Sequence, residues 1–132
     1  MSQENVETVR LVYRAFQAGE FTEMLGLLDP NIEAIPADVA GMPRVYHGHE
    51  GFIEFMSEWF EPWDEYSIEL QELLDAGDKV TTAEHHVGRS SETGLEVSQR
   101  VWAVWTIDGT GPVACKCFLD ESEALQAAGL RE

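Results

Sequence analysis

The sequence predicts an α+β fold in which a curved antiparallel sheet wraps around N-terminal helices, cone-like, with an internal pocket. Helical patterns fill the first half of the chain, and four consecutive strand patterns and a helix fill the second half. Helices that precede a run of antiparallel strands cover one face of the resulting sheet. With 132 residues, 44% of them hydrophobic, the chain is expected to form a single domain over residues 1–132.

The first half predicts three helices and one short strand. Apolar residues recur at helical spacing up to Gly19, which ends the first helix, and a second short helix ends before Pro30. A short strand is predicted over residues 31–35, a loop over 36–46, and a third helix from around Gly48. These patterns rest on Val6, Val9, Tyr13 and Phe16, then on Phe21, Met24, Leu25 and Leu28, and then on Phe52, Ile53, Phe55, Met56, Trp59 and Phe60.

The second half changes to the period of a β-strand. Apolar and polar residues alternate from Tyr66 onward, which indicates a strand with one buried face. Asp120 and Glu123 form a capping box that begins the last helix, and Gly129 ends it. The strands are predicted from Tyr66 and over residues 79–88, 95–107 and 112–119.

The charge balance limits the partners of this protein. The net charge is −17, with 25 acidic and 8 basic residues and no Lys/Arg cluster, so nucleic acid and anionic membranes are not expected to bind. The N-terminus lacks the apolar segment of a signal peptide. Cys115 and Cys117 are expected to remain reduced thiols, which fits a cytoplasmic location.

Four segments and one turn carry a family pattern. The segments are AGEF (18–21), LLDPNIE (27–33), YHGHEGFIEF (46–55) and FLDESEALQAAGL (118–130), and the turn follows VWTI. Together they resemble the SnoaL-like branch of the nuclear-transport-factor-2-like superfamily, and the similarity covers nearly the whole chain.

The resemblance implies a cone-like α+β barrel with a mostly apolar pocket. It also implies homodimers formed through the outer face of the sheet. Members of this superfamily include isomerases, cyclases, dehydratases, epoxide hydrolases and binding modules, so the fold does not fix the activity. The chemistry has to be tested residue by residue.

The ketosteroid isomerases of this superfamily use a tyrosine, a basic aspartate and a protonated aspartate. The corresponding positions hold Val12, Ala34 and Ala103, so all three groups are missing. Tyr13 lies one residue from the tyrosine position, and Asp38 could replace the base from the loop. Steroid isomerase chemistry is therefore disfavoured.

Two other chemistries of the superfamily also lack support. Epoxide hydrolases use an Arg-x-Asp pair on one strand, but here Arg100 is followed two residues later by Trp102. The acid/base aspartate of polyketide cyclases has its nearest counterpart in Asp120, which is also the cap of the last helix. The histidines and tyrosines of scytalone-dehydratase-like pockets, by contrast, have counterparts in this chain.

Strand alternation selects residues that face the pocket. If Ala103 faces inward, then Val101 and its alternate neighbours face inward too. On the next strand Lys116 prefers solvent, which turns its two cysteine neighbours inward. The residues expected to bind the ligand are Tyr13, Phe16, Trp59, Trp63, Gln99, Trp105, Cys115 and Cys117.

The strand from Lys79 supplies the catalytic candidates. If Val80 faces inward, Glu84 and His86 lie on the same face, with side chains about 6–7 Å apart along the strand. A histidine near neutrality is a natural general acid or base, and a neighbouring carboxylate orients it. A slip of one residue would place His85 inside instead.

These observations predict a cofactor-independent enzyme that acts on a small apolar molecule. The reaction is expected to be an isomerisation, cyclisation or dehydration, with His86 as acid/base and Glu84 orienting it. No metal site is expected, because no ligand-spacing motif is present. A non-catalytic binding module with the same pocket, or a dimerisation domain whose side chains fill the pocket, remains an alternative.

Overall fold

A computed structural model describes residues 2–36, 42, 44–109 and 111–130 of the chain. Asp38, the possible replacement base, lies outside these described residues. The elements are α1 (Ser2–Gln17), α2 (Phe21–Leu27), β1 (Glu33–Ile35), β2 (Tyr46–His47), α3 (Gly48–Phe60), β3 (Trp63–Asp75), β4 (Lys79–Ser90), β5 (Glu96–Asp108), β6 (Gly111–Phe118) and α4 (Glu121–Ala127).

The sheet has six strands in the order β2-β1-β6-β5-β4-β3 and is open, with β2 and β3 at its edges. The four long strands pair antiparallel in sequence order, as predicted. The α+β class is confirmed, but the sheet is mixed because β1 runs parallel to β6. Ala34 on β1 lies opposite Cys115 on β6, a pairing between segments about eighty residues apart that no local pattern reveals.

The predicted helix boundaries depend on local backbone chemistry. Gly19 and Gly129 have positive φ angles of 75° and 79°, which glycine adopts at low cost after a helix. The Asp120 side chain accepts a hydrogen bond from the Glu123 N–H at 3.1 Å, which satisfies one of the free donors that begin α4.

The main core lies between the inner face of the sheet and helices α1, α2 and α3. Val9, Ile32 and Val80 are completely buried there. A second, smaller core lies on the outer face, where Trp102 and Phe118 pack with alanines of α4. Within the described part of the chain, no helix has the length and apolar character needed to cross a membrane.

A β-bulge in β3 changes which residues face the helices. Ile68 and Leu70 pair with His86 and Glu84, but after the shift between Leu70 and Glu72 it is Leu73 that pairs with Thr82. The inward face therefore changes from even to odd positions along β3. β3 also begins at Trp63, three residues before the predicted start.

Candidate functional site

The helices and the inner face of the sheet enclose a cavity of about 80 Å³. Its walls are almost entirely apolar, with aromatic rings from α1, α3 and β5 and sulfur atoms from α2, α3 and β6. The half-buried wall residues Phe16, Trp59 and Phe60 lie at the C-terminal ends of α1 and α3. The mouth of the cavity is therefore at those helix ends.

Glu84 brings a carboxylate into this apolar cavity. It is only 4% exposed, and three side chains donate hydrogen bonds to it. The Tyr13 hydroxyl and the Thr82 hydroxyl, the latter at 2.6 Å, both donate to Oε2. His86 Nε2 lies 2.8 Å from Oε1. Three donors around one carboxyl group stabilise its ionised form, because a protonated carboxyl would compete with them.

The hydrogen bonds of His86 determine which of its nitrogens carries the proton. The indole N–H of Trp59 can only donate, and it donates to the Tyr66 oxygen at 2.8 Å. The Tyr66 O–H is therefore free to donate to His86 Nδ1, which lies 2.5 Å away. This pattern assigns Nδ1 as the acceptor and places on Nε2 the proton that Glu84 accepts.

The polar network continues to the deep end of the cavity. Trp105 Nε1 donates to the Tyr13 oxygen at 3.2 Å, so a chain of hydrogen bonds runs from Trp105 to Trp59 through both tyrosines. Burial and the nearby Glu84 charge raise the pKa of Tyr13 well above its usual value. Burial raises the pKa of Tyr66 to about 12. Both phenols are therefore neutral at physiological pH.

The two cysteines are free thiols that share one wall of the cavity. The hydrogen bond with Cys117 and burial raise the pKa of Cys115 well above the usual thiol value. A thiolate at Cys115 is therefore not expected at physiological pH. Among the described residues, no group of three or more His, Cys, Asp or Glu side chains could hold a metal ion.

Most of the residues selected from the sequence lie around this cavity. The inward alternation on β4, β5 and β6 places Glu84, Ala103 and Lys116 as expected, the last of them exposed. His85 points the other way and contacts Ser98 at 2.8 Å. The selected residues that line the cavity are Tyr13, Phe16, Trp59, Glu84, His86, Trp105, Cys115 and Cys117.

Gln99 and Trp63 do not lie among the cavity-lining residues. Gln99 lies opposite His86 on β5, but it is exposed, because residues 96–100 of β5 extend beyond the buried part of the sheet. Trp63 packs on Tyr66, with ring centroids 5.5 Å apart, and covers the space that Gly88 leaves free on β4. Its expected place in the pocket is corrected to the edge of the sheet.

Tyr66 is the functional candidate that the sequence did not single out. Its alternation with Ile68 predicted a strand, but its contact with His86 depends on the register of the β3–β4 hairpin. That register follows from the turn at Gly77, whose φ is 81°, and from the bulge. The turn was readable from the sequence, whereas the bulge was not.

None of the positions that match the catalytic residues of related enzymes brings an acid or base to the cavity. Val12 and Ala103 line the cavity with apolar side chains, and Ala34 is fully buried on β1. Asp120 caps α4 on the outer side of the sheet. The ionisable groups of the cavity wall therefore come from α1, β4 and β6.

The comparisons with known proteins agree with this architecture. A protein-family model for the SnoaL-like domain matches residues 9–114. No curated protein matches the chain.

Three solved structures illustrate the similarity. A nuclear-transport-factor-2-like protein from Burkholderia thailandensis is 25% identical with a TM-score of 0.80, covering 96% of this chain and 95% of its own. A protein predicted to be a SnoaL-like polyketide cyclase, from a Jannaschia species, is 19% identical with a TM-score of 0.73 and coverages of 99% and 94%. A ketosteroid-isomerase-like protein from Catenulispora acidiphila, in complex with trimethylamine, is 14% identical with a TM-score of 0.71 and coverages of 94% and 93%. The chain belongs to the SnoaL-like domain family.

Proposed function

We propose that this protein is a cofactor-independent enzyme that moves a proton within a small, largely apolar molecule. Isomerisation is the reaction that the cavity supports best, and cyclisation or dehydration would use the same groups. The observation that carries the proposal is Glu84, a buried carboxyl group held by three donors inside an apolar cavity. The apolar walls limit the access of water to a proton transfer at this carboxylate.

The hydrogen bonds reverse the roles that the sequence predicted for His86 and Glu84. Both nitrogens of His86 are engaged, one by Tyr66 and the other by Glu84. A carboxylate accepts about four hydrogen bonds, and Glu84 receives three, which leaves one acceptor site on Oε1. Glu84 is therefore the base, and His86 orients it.

The proton transfer balances within the cavity. Glu84 takes a proton from one carbon of the substrate and returns it to another carbon, so no net proton is gained or lost. When Glu84 is protonated, the Tyr13 O–H no longer needs to donate to it. That O–H can then turn to the oxygen on which negative charge develops.

The relatives support a small-molecule site in this fold. One structural neighbour is predicted to be a polyketide cyclase, and another holds trimethylamine. The two free thiols of this chain also favour a cytoplasmic location, which we include in the proposal.

A non-catalytic binding module is the second candidate. The engagement of both His86 nitrogens and the almost wholly apolar wall favour it, because a pocket that only binds needs no free acid or base. The two candidates differ in whether the ligand changes after it binds.

Hydrogen exchange in deuterated water separates these candidates. Small ketones and unsaturated lactones would be incubated with the protein, and deuterium at their acidic carbons measured by NMR. We expect exchange with the wild-type protein and a loss of about 100-fold or more with Glu84→Gln. His86→Gln should slow exchange less, and His85→Ala, on the outer face of the same strand, should leave it unchanged. Binding without exchange would support the binding module, and equal exchange by Glu84→Gln would refute the proposed base.

A further inference from the structure

Five aromatic rings form a continuous belt around the cavity. Neighbouring centroids are 5.9 Å apart for Tyr13 and Trp105, 6.4 Å for Trp105 and Phe52, 5.6 Å for Phe52 and Phe55, and 5.7 Å for Phe55 and Trp59. We call these five residues the aromatic belt. All five line the same cavity.

The hydrogen-bonded pair Glu84–His86 closes the belt into a ring. The His86 ring lies 5.8 Å from Trp59 at one end, and Glu84 accepts a hydrogen bond from Tyr13 at the other end. The carboxylate therefore occupies one position in a ring that is otherwise aromatic. Where an aromatic face is turned toward the cavity, its partial negative charge adds to that of the carboxylate.

Among the described residues, no Lys or Arg lines the cavity. The His86 nitrogen nearest Glu84 already forms a hydrogen bond with that carboxylate. The net charge of −17 adds an attractive field for cations around the whole molecule. An anionic ligand would be repelled by this charge, and a cationic group would be attracted.

We propose that the cavity selects a ligand with a small alkylammonium group, either a quaternary ammonium or a protonated tertiary amine. This inference rests on the proposed function, because it names the class of molecule that enters the same site. The alkyl groups would contact the faces of the aromatic belt, and the positive charge would lie near Glu84. Such a group combines an apolar surface with a diffuse charge, which suits a wall that offers aromatic faces and few donors.

The volume of the cavity limits the size of the ligand group that can enter it. An engineered protein cavity of roughly 150 Å³ accommodates benzene, whereas this cavity measures about 80 Å³. The enclosed space therefore takes one small group rather than a whole ligand. The rest of the ligand would extend toward the mouth between the ends of α1 and α3.

A matched pair of ligands tests the charge preference directly. Choline would be compared with neohexyl alcohol, its neutral isostere, in which a tert-butyl group replaces the trimethylammonium group. Binding would be measured by calorimetry and by the fluorescence of the cavity tryptophans. We expect choline to bind at least about tenfold more tightly, the size of a moderate cation–π and charge contribution.

Three variants test whether the preference for choline arises in this cavity. Glu84→Gln should remove most of the preference for choline while retaining the binding of neohexyl alcohol. Trp59→Leu should weaken choline more than the alcohol, whereas Trp63→Leu, outside the cavity, should change neither. If Glu84→Gln does not fold, Trp59→Leu compared with Trp63→Leu still tests whether choline binds in the cavity.

The outcomes separate this inference from the proposed function. If the alcohol binds as tightly as choline, the alkylammonium inference is wrong and the cavity is still a ligand site. If neither compound binds and no small apolar molecule does, the proposed function fails as well. A preference for choline that persists in both Glu84→Gln and Trp59→Leu would place binding elsewhere and overturn the inference.

Discussion

A carboxylate among aromatic rings is stable only when donors satisfy it, and the donors of Glu84 come from its own strand and from a distant helix. Tyr13 lies on α1, 71 residues away, and Thr82 and His86 lie two residues to either side on β4. Alternation along one strand explains the local donors. The Tyr13 contact depends on how α1 packs against the sheet.

The buried phenols make the free energy of unfolding depend on pH in the alkaline range. Tyr66 has a folded-state pKa of about 12 against an unfolded value of 10.0, and the pKa of Tyr13 is raised too. A raised pKa stabilises the folded protein below the unfolded value, and this contribution is lost as pH rises through the folded value. The free energy of unfolding should therefore fall between about pH 10 and about pH 12.

Urea denaturation at several alkaline pH values, with Tyr66→Phe as the matched variant, measures this contribution. The variant should lose less stability over the same range, because only Tyr13 and Cys115 with their raised pKa values remain to titrate among these groups. Parallel pH profiles for the two proteins would contradict the burial of Tyr66 beside His86.

At the scale of elements, Gly88 on β4 leaves the space that allows Tyr66 on β3 to reach His86. A Cβ at Gly88 would lie 2.6 Å from Trp63 Cε3 and 2.8 Å from Tyr66 Cδ2. The hairpin therefore needs a residue without a side chain at this point, since Tyr66 has to reach His86 from the same face. Trp63 fills the space above that glycine.

Two glycine substitutions test this arrangement. Gly88→Ala should destabilise the protein by about 1–3 kcal/mol through overpacking and should disturb the contact between Tyr66 and His86. Gly26→Ala, in α2 with no atom within 4 Å of the new Cβ, should stabilise it by about 0.5–1 kcal/mol. Denaturation in urea measures both changes, and equal effects of the two substitutions would refute the packing described here.

Features of the fold that depend on neighbouring residues could be predicted from the sequence, whereas features that depend on distant residues could not. Helix ends at Gly19 and Gly129 and the cap at Asp120 depend on neighbours within a few residues, so the sequence predicted them. The parallel pairing of β1 with β6 and the bulge after Leu70 depend on distant partners. These longer-range features also decide that Tyr66 meets His86.

At the scale of the whole molecule, the net negative charge and the carboxylate in the cavity both attract cations. The whole chain carries a net charge of −17, and Glu84 places one of its carboxylates inside the cavity. The homodimer through the outer sheet face stays a prediction from the family resemblance. Two such chains repel each other, so salt should favour their association by screening the charge.

The ionised state of Glu84 is the claim on which both proposals depend. The carbon-13 chemical shift of its side-chain carboxyl group reports that state directly, and the signal can be assigned by its absence in Glu84→Gln. At neutral pH we predict the shift of an ionised carboxylate, because Tyr13, Thr82 and His86 all donate to it. The shift of a protonated carboxylic acid at that pH would contradict the account.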